Sequence, residues 1–375
     1  MISNNKRIAI IYLGDFFYDA RCINMALSLI KEEYNVSIIH VGHIDGIVPT
    51  IFKKITFIQL KVSNRRFVKY ISFYQQVKKI LKKNLFSTLI AGDLYSLANI
   101  CKHKNKAHLI YDCREIYFHL SAHYSSSIKR YLSYQYEKKL LKQINTIFVT
   151  AQTDLDFLKN TYKHYQHLNW HLIYNFPSEN IKRKKNNLKL KYNIPSHHKL
   201  IIYQGVIQKH RGILKLLKVV QATEYYTAFI IGDGPLLPYL KKYVKENKLH
   251  KKIHLIGKLP YFSMFEYTAN CDIGWAMIKG LGISNQFALP NKLFEYTLMG
   301  LKIIASSLSN IKPIVQNNNF GICIDSFKTT NIIQALKELD KTKITKSQII
   351  KQSKSKFIWD IQHHKFIKAI KYYEF

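Results

Sequence analysis

Acid is what this chain lacks most. Its 375 residues hold 58 lysines and arginines against only 23 aspartates and glutamates, a formal net charge of +35. A field of that sign excludes cationic partners and favours polyanions or anionic lipid. Lysine, isoleucine, asparagine and tyrosine are all abundant, so biased genomic base composition accounts for part of the excess and an anionic partner for the rest. Proline is scarce, at 8 residues, and 47% of the chain is hydrophobic, which excludes a disordered polymer. The five cysteines (Cys22, Cys101, Cys113, Cys271, Cys323) are odd in number and form no C-x-x-C pair. A disulfide scaffold or zinc site is thereby excluded, and buried, reduced thiols are expected. The histidines show no metal-ligand spacing. No apolar run approaches the roughly 20 residues of a membrane span, and Met1 to Arg7 lacks a signal-peptide pattern. Cytoplasmic residence is expected, with peripheral attachment to the inner face of the cell membrane as an option.

The length suits two domains. Strand-like apolar runs stand at Arg7–Leu13, Val36–Val41, Thr56–Leu60, Ser87–Ala91, His108–Asp112, Thr146–Thr150 and His171–Asn175. Helical spacing fills Ala20–Glu33, Phe67–Lys83, Leu94–His103 and Ile128–Ile144 between them. This alternation predicts an α/β fold with a parallel sheet covered on both faces. A lysine-rich polar stretch from Ser178 to Asn187, closed by Asn193-Ile-Pro-Ser196, reads as a linker. Strands then resume at Leu200–Gly205, Ala228–Gly232, Lys252–Ile256, Asp272–Ala276, Lys302–Ser306 and Gly321–Ile324. The expected architecture is two doubly wound, Rossmann-like domains facing across a cleft. Their expected spans are 1–177 and 199–355, with 178–198 between them and the last helix, within 356–375, returning to the first.

Chemistry concentrates at a few junctions. In Ala288-Leu-Pro-Asn-Lys-Leu-Phe-Glu-Tyr-Thr-Leu-Met-Gly300, a loop stops at Pro290 and a short helix carries Lys292 and Glu295 before a glycine exit. The helix start offers free N–H donors and a positive dipole end to a phosphate. Lys292 and Glu295, three residues apart, share a face, which suits a cation beside a phosphate and a carboxylate gripping ribose hydroxyls. In Tyr203-Gln-Gly-Val-Ile-Gln-Lys-His-Arg-Gly212, a strand ends at Gly205 and a helix opens near Arg211. Open α/β sheets bind ligands at the carboxyl ends of their strands. Gly205 permits close backbone approach, and Arg211 either offers a fork to a diphosphate or is simply a solvated helix-start arginine. Asp154-Leu-Asp156 looks like a metal-binding D-x-D, but Thr153 is a good N-cap and a first helical turn favours both carboxylates, so no metal is expected. Asp19 is equally a helix cap. On Phe67–Lys83 the stripe Phe67, Tyr70, Ile71, Tyr74, Val77 and Leu81 either covers a sheet or, flanked by lysines and arginines, docks on anionic lipid.

These segments resemble retaining glycosyltransferases of family 4, in the subgroup with "LPNKLFEY", "YQG…RG" and "YDxHE" motifs. The resemblance implies the GT-B fold and transfer of a sugar, with retention, from a nucleotide sugar (UDP-linked by expectation) to a glycan or lipid-linked acceptor. It implies no cofactor and no metal. Arg211 and Lys292 would stabilise the leaving diphosphate. Arg114 and Glu115, from Tyr111-Asp-Cys-Arg-Glu115, are the other catalytic candidates. Gly205, Gly232, Gly234, Lys258, Leu259, Pro290, Asn291, Leu293 and Glu295 would hold the nucleotide. Gly14, Asp15, Asp19, Arg21 and His119 would line the acceptor side. Three positions depart from the pattern: Arg114 stands where histidine is usual, Val206 replaces a second basic residue, and Phe287 occupies the place of the first glutamate of E-x7-E. Asn285, Gln286 or a backbone amide would then meet the donor sugar. The rival readings are a nucleotide-sugar 2-epimerase of the same plan and a non-catalytic relative binding a polyanion or a membrane; nucleic acid is not the expected partner.

Overall fold

The structure is a computed structural model describing residues 6–42, 48–63, 65–102, 107–120, 126–184 and 186–372. The chain divides into two compact units, Met1–Asn175 with Trp359–Phe375, and Phe176–Ile358.

In the first unit the apolar runs become strands β1 (Arg7–Tyr12), β2 (Asn35–His40), β3 (Ile55–Gln59), β4 (Thr88–Ala91), β5 (His108–Cys113), β6 (Thr146–Val149) and β7 (Asn169–Leu172). They pair in parallel in the order β3-β2-β1-β4-β5-β6-β7. Helices α1 (Ala20–Lys31), α2 (Arg66–Lys83), α3 (Leu94–Ile100), α4 (Ser127–Leu141) and α5 (Gln152–Thr161) supply the crossovers. Strands such as Ile8-Ala9-Ile10-Ile11 are buried along their whole length because helices cover both faces of a parallel sheet. The strand order reverses between β1 and β4, the switch point at which this topology opens a crevice beyond the strand ends.

The second unit repeats the plan. It contains α6 (Leu188–Lys191), β8 (Lys199–Gln204), α7 (Ile213–Gln221), β9 (Tyr226–Ile231), α8 (Leu237–Glu246), β10 (Ile253–Gly257) and α9 (Tyr261–Thr268). There follow β11 (Ile273–Ala276), α10 (Ile283–Gln286), α11 (Lys292–Met299), β12 (Lys302–Ser306), α12 (Ile311–Gln316), β13 (Gly321–Ile324), α13 (Thr329–Lys341) and α14 (Lys346–Lys356). The parallel sheet runs β10-β9-β8-β11-β12-β13, with its switch point between β8 and β11.

Several boundaries differ from those read in the sequence. Residues 178–198 fall within the second unit: Asn186 N donates to Asn270 Oδ1, Asn270 Nδ2 donates to Lys184 O, and Leu188 and Ile194 are buried. His103, Lys185 and Tyr373 lie outside the described residues. Thr153 is not the N-cap before the D-x-D; that position is Ala151, without a side-chain cap, because the helix begins two residues earlier than expected, at Gln152. Asp154 falls in the first turn, but Asp156 lies beyond it and accepts from Gln152 Nε2 at 2.7 Å. The stripe on α2 also splits. Phe73, Val77 and Leu81 are buried in the core, whereas Phe67, Val68 and Ile71 are exposed.

The last helix, α15 (Trp359–Lys371), belongs to the first unit, separated from α14 by the non-helical Phe357. Trp359 Nε1 donates to Ser28 Oγ at 2.8 Å, and its ring packs near Phe366, which meets Phe148 edge-on. Trp359→Ala removes this buried ring and orphans the Ser28 hydroxyl. The expected result is a loss of about 3–5 kcal/mol in chemical denaturation of the first unit, while nucleotide-induced stabilisation of the second persists.

Candidate functional site

The switch point of the second sheet brings the sequence motifs together. After Gln204, β8 runs into Gly205, whose φ of +126° lies in the range that favours glycine. The turn after β9 stacks on it so closely that a Cβ on Gly232, at φ +142°, would stand 1.9 Å from Gly205 O. A Cβ on Gly234 would stand 2.4 Å from Ile207 O. Backbone bonds fix the stack, with Gly205 N donating to Ile231 O (3.0 Å) and Ile207 N to Asp233 O (2.8 Å). Across the switch point, Lys279 N donates to His210 O at 2.8 Å, tying the loop after β11 to the loop carrying Arg211.

Lys292 opens α11 next to this loop. Asn291 is the N-cap, with no side-chain cap bond, and Gly300, left-handed at φ +79°, terminates the helix. The Lys292 side chain is 9% exposed and lies under Gly205, where a Cβ would come within 3.4 Å of Nζ. Its ammonium sits 3.6 Å from the centroid of the Tyr203 ring, a cation–π contact that offsets part of its desolvation. The Tyr203 hydroxyl is anchored by donation to Val206 O at 2.7 Å. Among the described residues the Lys292 side chain makes no hydrogen bond and no ion pair, and neither does that of Arg211. Burial, and next the nearby Arg211 guanidinium, push the Lys292 pKa well below the usual lysine value; Glu295 opposes this more weakly. Two adjacent cations without a matching anion are costly to hold. They are the arrangement expected where a ligand supplies the negative charge.

Glu295 is buried one turn along. Gln204 Nε2 donates to its Oε2, and Gln204 Oε1 accepts from Thr268 Oγ1 at 2.7 Å. The threonine thus fixes the amide so that its N–H, not its oxygen, faces the carboxylate. Gln204 N in turn donates to Tyr296 Oη at 3.2 Å, and that hydroxyl donates to Ile202 O. Burial raises the Glu295 pKa to about 7 despite the Gln204 hydrogen bond, Lys292 and Tyr261. At neutral pH the group is therefore only partly ionised, and the cations are not internally neutralised. Of the other expected nucleotide contacts, Lys258 is exposed, Leu259, Pro290 and Asn291 are half-buried, and Leu293 is buried in the core. Phe287 caps the end of α10, its carbonyl accepting from Asn310 Nδ2, and Asn285 is largely buried beside it.

The first unit treats its charges differently. Arg21 is fully buried, binding Asp112 through Nε and Nη2 and donating to Ile173 O at 2.7 Å. Arg114 pairs with Asp112 and Asp19, each at 2.7 Å, touches Cys22 Sγ and lies over the Tyr12 ring. Asp19 also caps α1 through Cys22 N. Two arginines and two aspartates cancel, so Arg114, a catalytic candidate from the sequence, is a cation already paired within the fold. Asp15 caps a short 3-10 turn, and Gly14 packs on Tyr12. Glu115 is exposed, and its charge, after burial, helps raise the Asp154 pKa to about 7. His119 lies 5.6 Å from the Phe157 ring, with its pKa lowered by burial and by Arg130. Among the described residues no group of three or more His, Cys, Asp or Glu side chains could hold a metal ion.

Tyr203 and Gln204 belong to the loop motif of Arg211, but no role for them can be read from the motif itself. Their place at the end of a strand, just before a glycine, was the available signal. Thr268 carried none: it comes from a helix 64 residues away.

Comparison with known proteins bears on the fold that carries this site. Residues 184–356 match the family model of glycosyl transferases group 1. No curated protein sequence matches significantly. Among solved structures, sucrose-phosphate synthase from Thermosynechococcus elongatus superposes with a TM-score of 0.77 at 13% identity, covering 98% of each chain. Anabaena HepE, solved with UDP and glucose, gives 0.74 at 12% identity over 98% of this chain and 99% of that one. WaaG, a glycosyltransferase of lipopolysaccharide biosynthesis, gives 0.67 at 13% over 97% and 99%. The chain has the GT-B fold of two Rossmann-like parallel-sheet domains, and the second of them matches glycosyl transferases group 1.

Proposed function

We propose that this protein transfers a sugar, with retention of configuration and without a metal, from a nucleotide-diphosphate sugar to a glycan or lipid-linked precursor of a cell-surface polysaccharide. The observation that carries the proposal is the unneutralised pair Arg211 and Lys292 beside Gly205, with Glu295 one turn along. A leaving diphosphate would find two cations preorganised in a largely dry site, where charge stabilisation is strongest. Glu295, oriented by Gln204 through Oε2, would meet the ribose hydroxyls. Tyr203 and the Thr268–Gln204 relay are positioning residues in this scheme. The complexes of HepE with UDP and with UDP-glucose support a UDP-linked donor. A structural neighbour described as a putative UDP-N-acetylglucosamine 2-epimerase, at TM-score 0.64, makes epimerisation the reading to test against.

A thermal-shift panel of UDP-, GDP-, CMP- and ADP-linked sugars would find the donor, and turnover would follow with that donor. Nucleoside diphosphate release that rises with added acceptor is the expected result. Interconversion of the donor sugar without any acceptor would establish epimerisation instead. A protein that binds none of the four donors would sink both.

A further inference from the structure

The first unit carries a second feature unrelated to nucleotide binding. On α4, Ile128, Tyr131, Leu132 and Tyr136 are all exposed, Ile128 at 71%. Their spacing of three, four and eight residues places them along one face. On α2, Phe67 (79% exposed), Val68 and Ile71 stand out from the first two turns. The helices are linked through α3, since Tyr70 stacks on the half-exposed Tyr95 with centroids 4.3 Å apart. Lys102, just past α3, lies over the Tyr74 ring of α2, and its charge also acts on Tyr136 of α4. Large apolar side chains singly exposed need no explanation, but a contiguous group on neighbouring helices does.

The charges around this group have one sign. Neither α2 nor α3 contains an acidic residue, and the single acid of α4, Glu137, is buried between the Tyr111 and Tyr162 hydroxyls at 2.9 and 2.8 Å. Lysines and arginines are plentiful on the same helices, among them Lys78, Lys79, Lys82 and Lys83 on α2 and Lys129, Lys138 and Lys139 on α4.

We infer that α2, α3 and α4 form one surface that seats on an anionic lipid bilayer, with Phe67, Ile71, Ile128, Tyr131 and Leu132 entering the interface and the cations contacting lipid headgroups. Charge decides the sign of the partner, and the aliphatic side chains decide its class. A nucleic acid would satisfy the lysines but leave Ile128 and Leu132 in water, whereas the headgroup–acyl boundary accepts both. A membrane seat would also hold the protein near a lipid-linked acceptor, though the inference does not depend on sugar transfer.

Flotation of the full-length, nuclease-treated protein with vesicles tests it. Vesicles of phosphatidylcholine containing about one-third phosphatidylglycerol should carry the protein up the gradient, and pure phosphatidylcholine should not. The double variant Ile128→Ser, Leu132→Ser should bind the anionic vesicles about tenfold more weakly or worse. Because both sites are exposed, its melting temperature should match the parent's. Failure of the parent to float with anionic vesicles would overturn the inference. So would undiminished flotation of the double variant, which would leave charge alone as the cause. Binding to an RNA oligomer more tightly than to the vesicles, and equally by parent and variant, would assign the surface to nucleic acid.

Discussion

Lys292→Met is expected to make the free protein more stable and to abolish nearly all of the proposed sugar transfer. Methionine fills a similar volume against Tyr203 and removes a buried charge that no side chain neutralises. Such replacements gain about 1–3 kcal/mol, read as a higher urea midpoint. The same change removes one of two cations facing the proposed diphosphate, and a loss of about 10²–10³-fold in kcat/KM is expected. The pH behaviour adds a sign. The Lys292 pKa lies well below the usual 10.5 in the free protein, so above that displaced value the lysine is neutral and Arg211 is left as the charge of the pair. A bound diphosphate raises the pKa again. Binding at alkaline pH therefore draws in a proton, and affinity falls as pH rises through the displaced value. Calorimetry in buffers of different ionisation enthalpy measures that proton, and Lys292→Met should lose it. A variant less stable than the parent, with unchanged turnover, would show that the lysine is a structural residue.

Glu295→Gln should separate binding from stability along the pH axis. The carboxyl has a folded pKa of about 7 against an ordinary 4.5, with burial as the main cause. A raised carboxyl pKa contributes stability that is present below the unfolded value and lost as pH rises through the folded one. At pH 8 the parent has lost it, about 3 kcal/mol for a displacement of this size, and the glutamine variant has not. The variant should thus unfold at higher urea than the parent at pH 8 and at about the same urea at pH 4. Nucleotide affinity should move the other way. Glutamine offers one acceptor oxygen where the carboxylate offers more, so affinity at pH 8 should fall about 10–100-fold. The parent's affinity should weaken as pH drops below about 7, whereas the variant's should stay level. A parallel pH profile for both proteins would remove Glu295 from the ligand.

The amino-acid sequence by itself determined the two sheets. Each of the thirteen apolar runs became a parallel strand, because a strand covered on both faces must be hydrophobic throughout and stands out from the helices around it. Lys292 and Glu295 on one helix face were equally legible, being a matter of local spacing. Their neighbours were not. Whether a cation is free or spent depends on what the fold brings to it from elsewhere in the chain. Arg114 is spent, on Asp19 from 95 residues away, while among the described residues Arg211 and Lys292 form no ion pair with a carboxylate. Gln204 and Thr268 orient Glu295 only because β8 and α9 pack side by side, and α2 and α4 share a surface only through α3. Periodicity and turn chemistry are local and can be read along the chain; charge balance, desolvation and surface continuity are sums over space, and only the tertiary structure sets them.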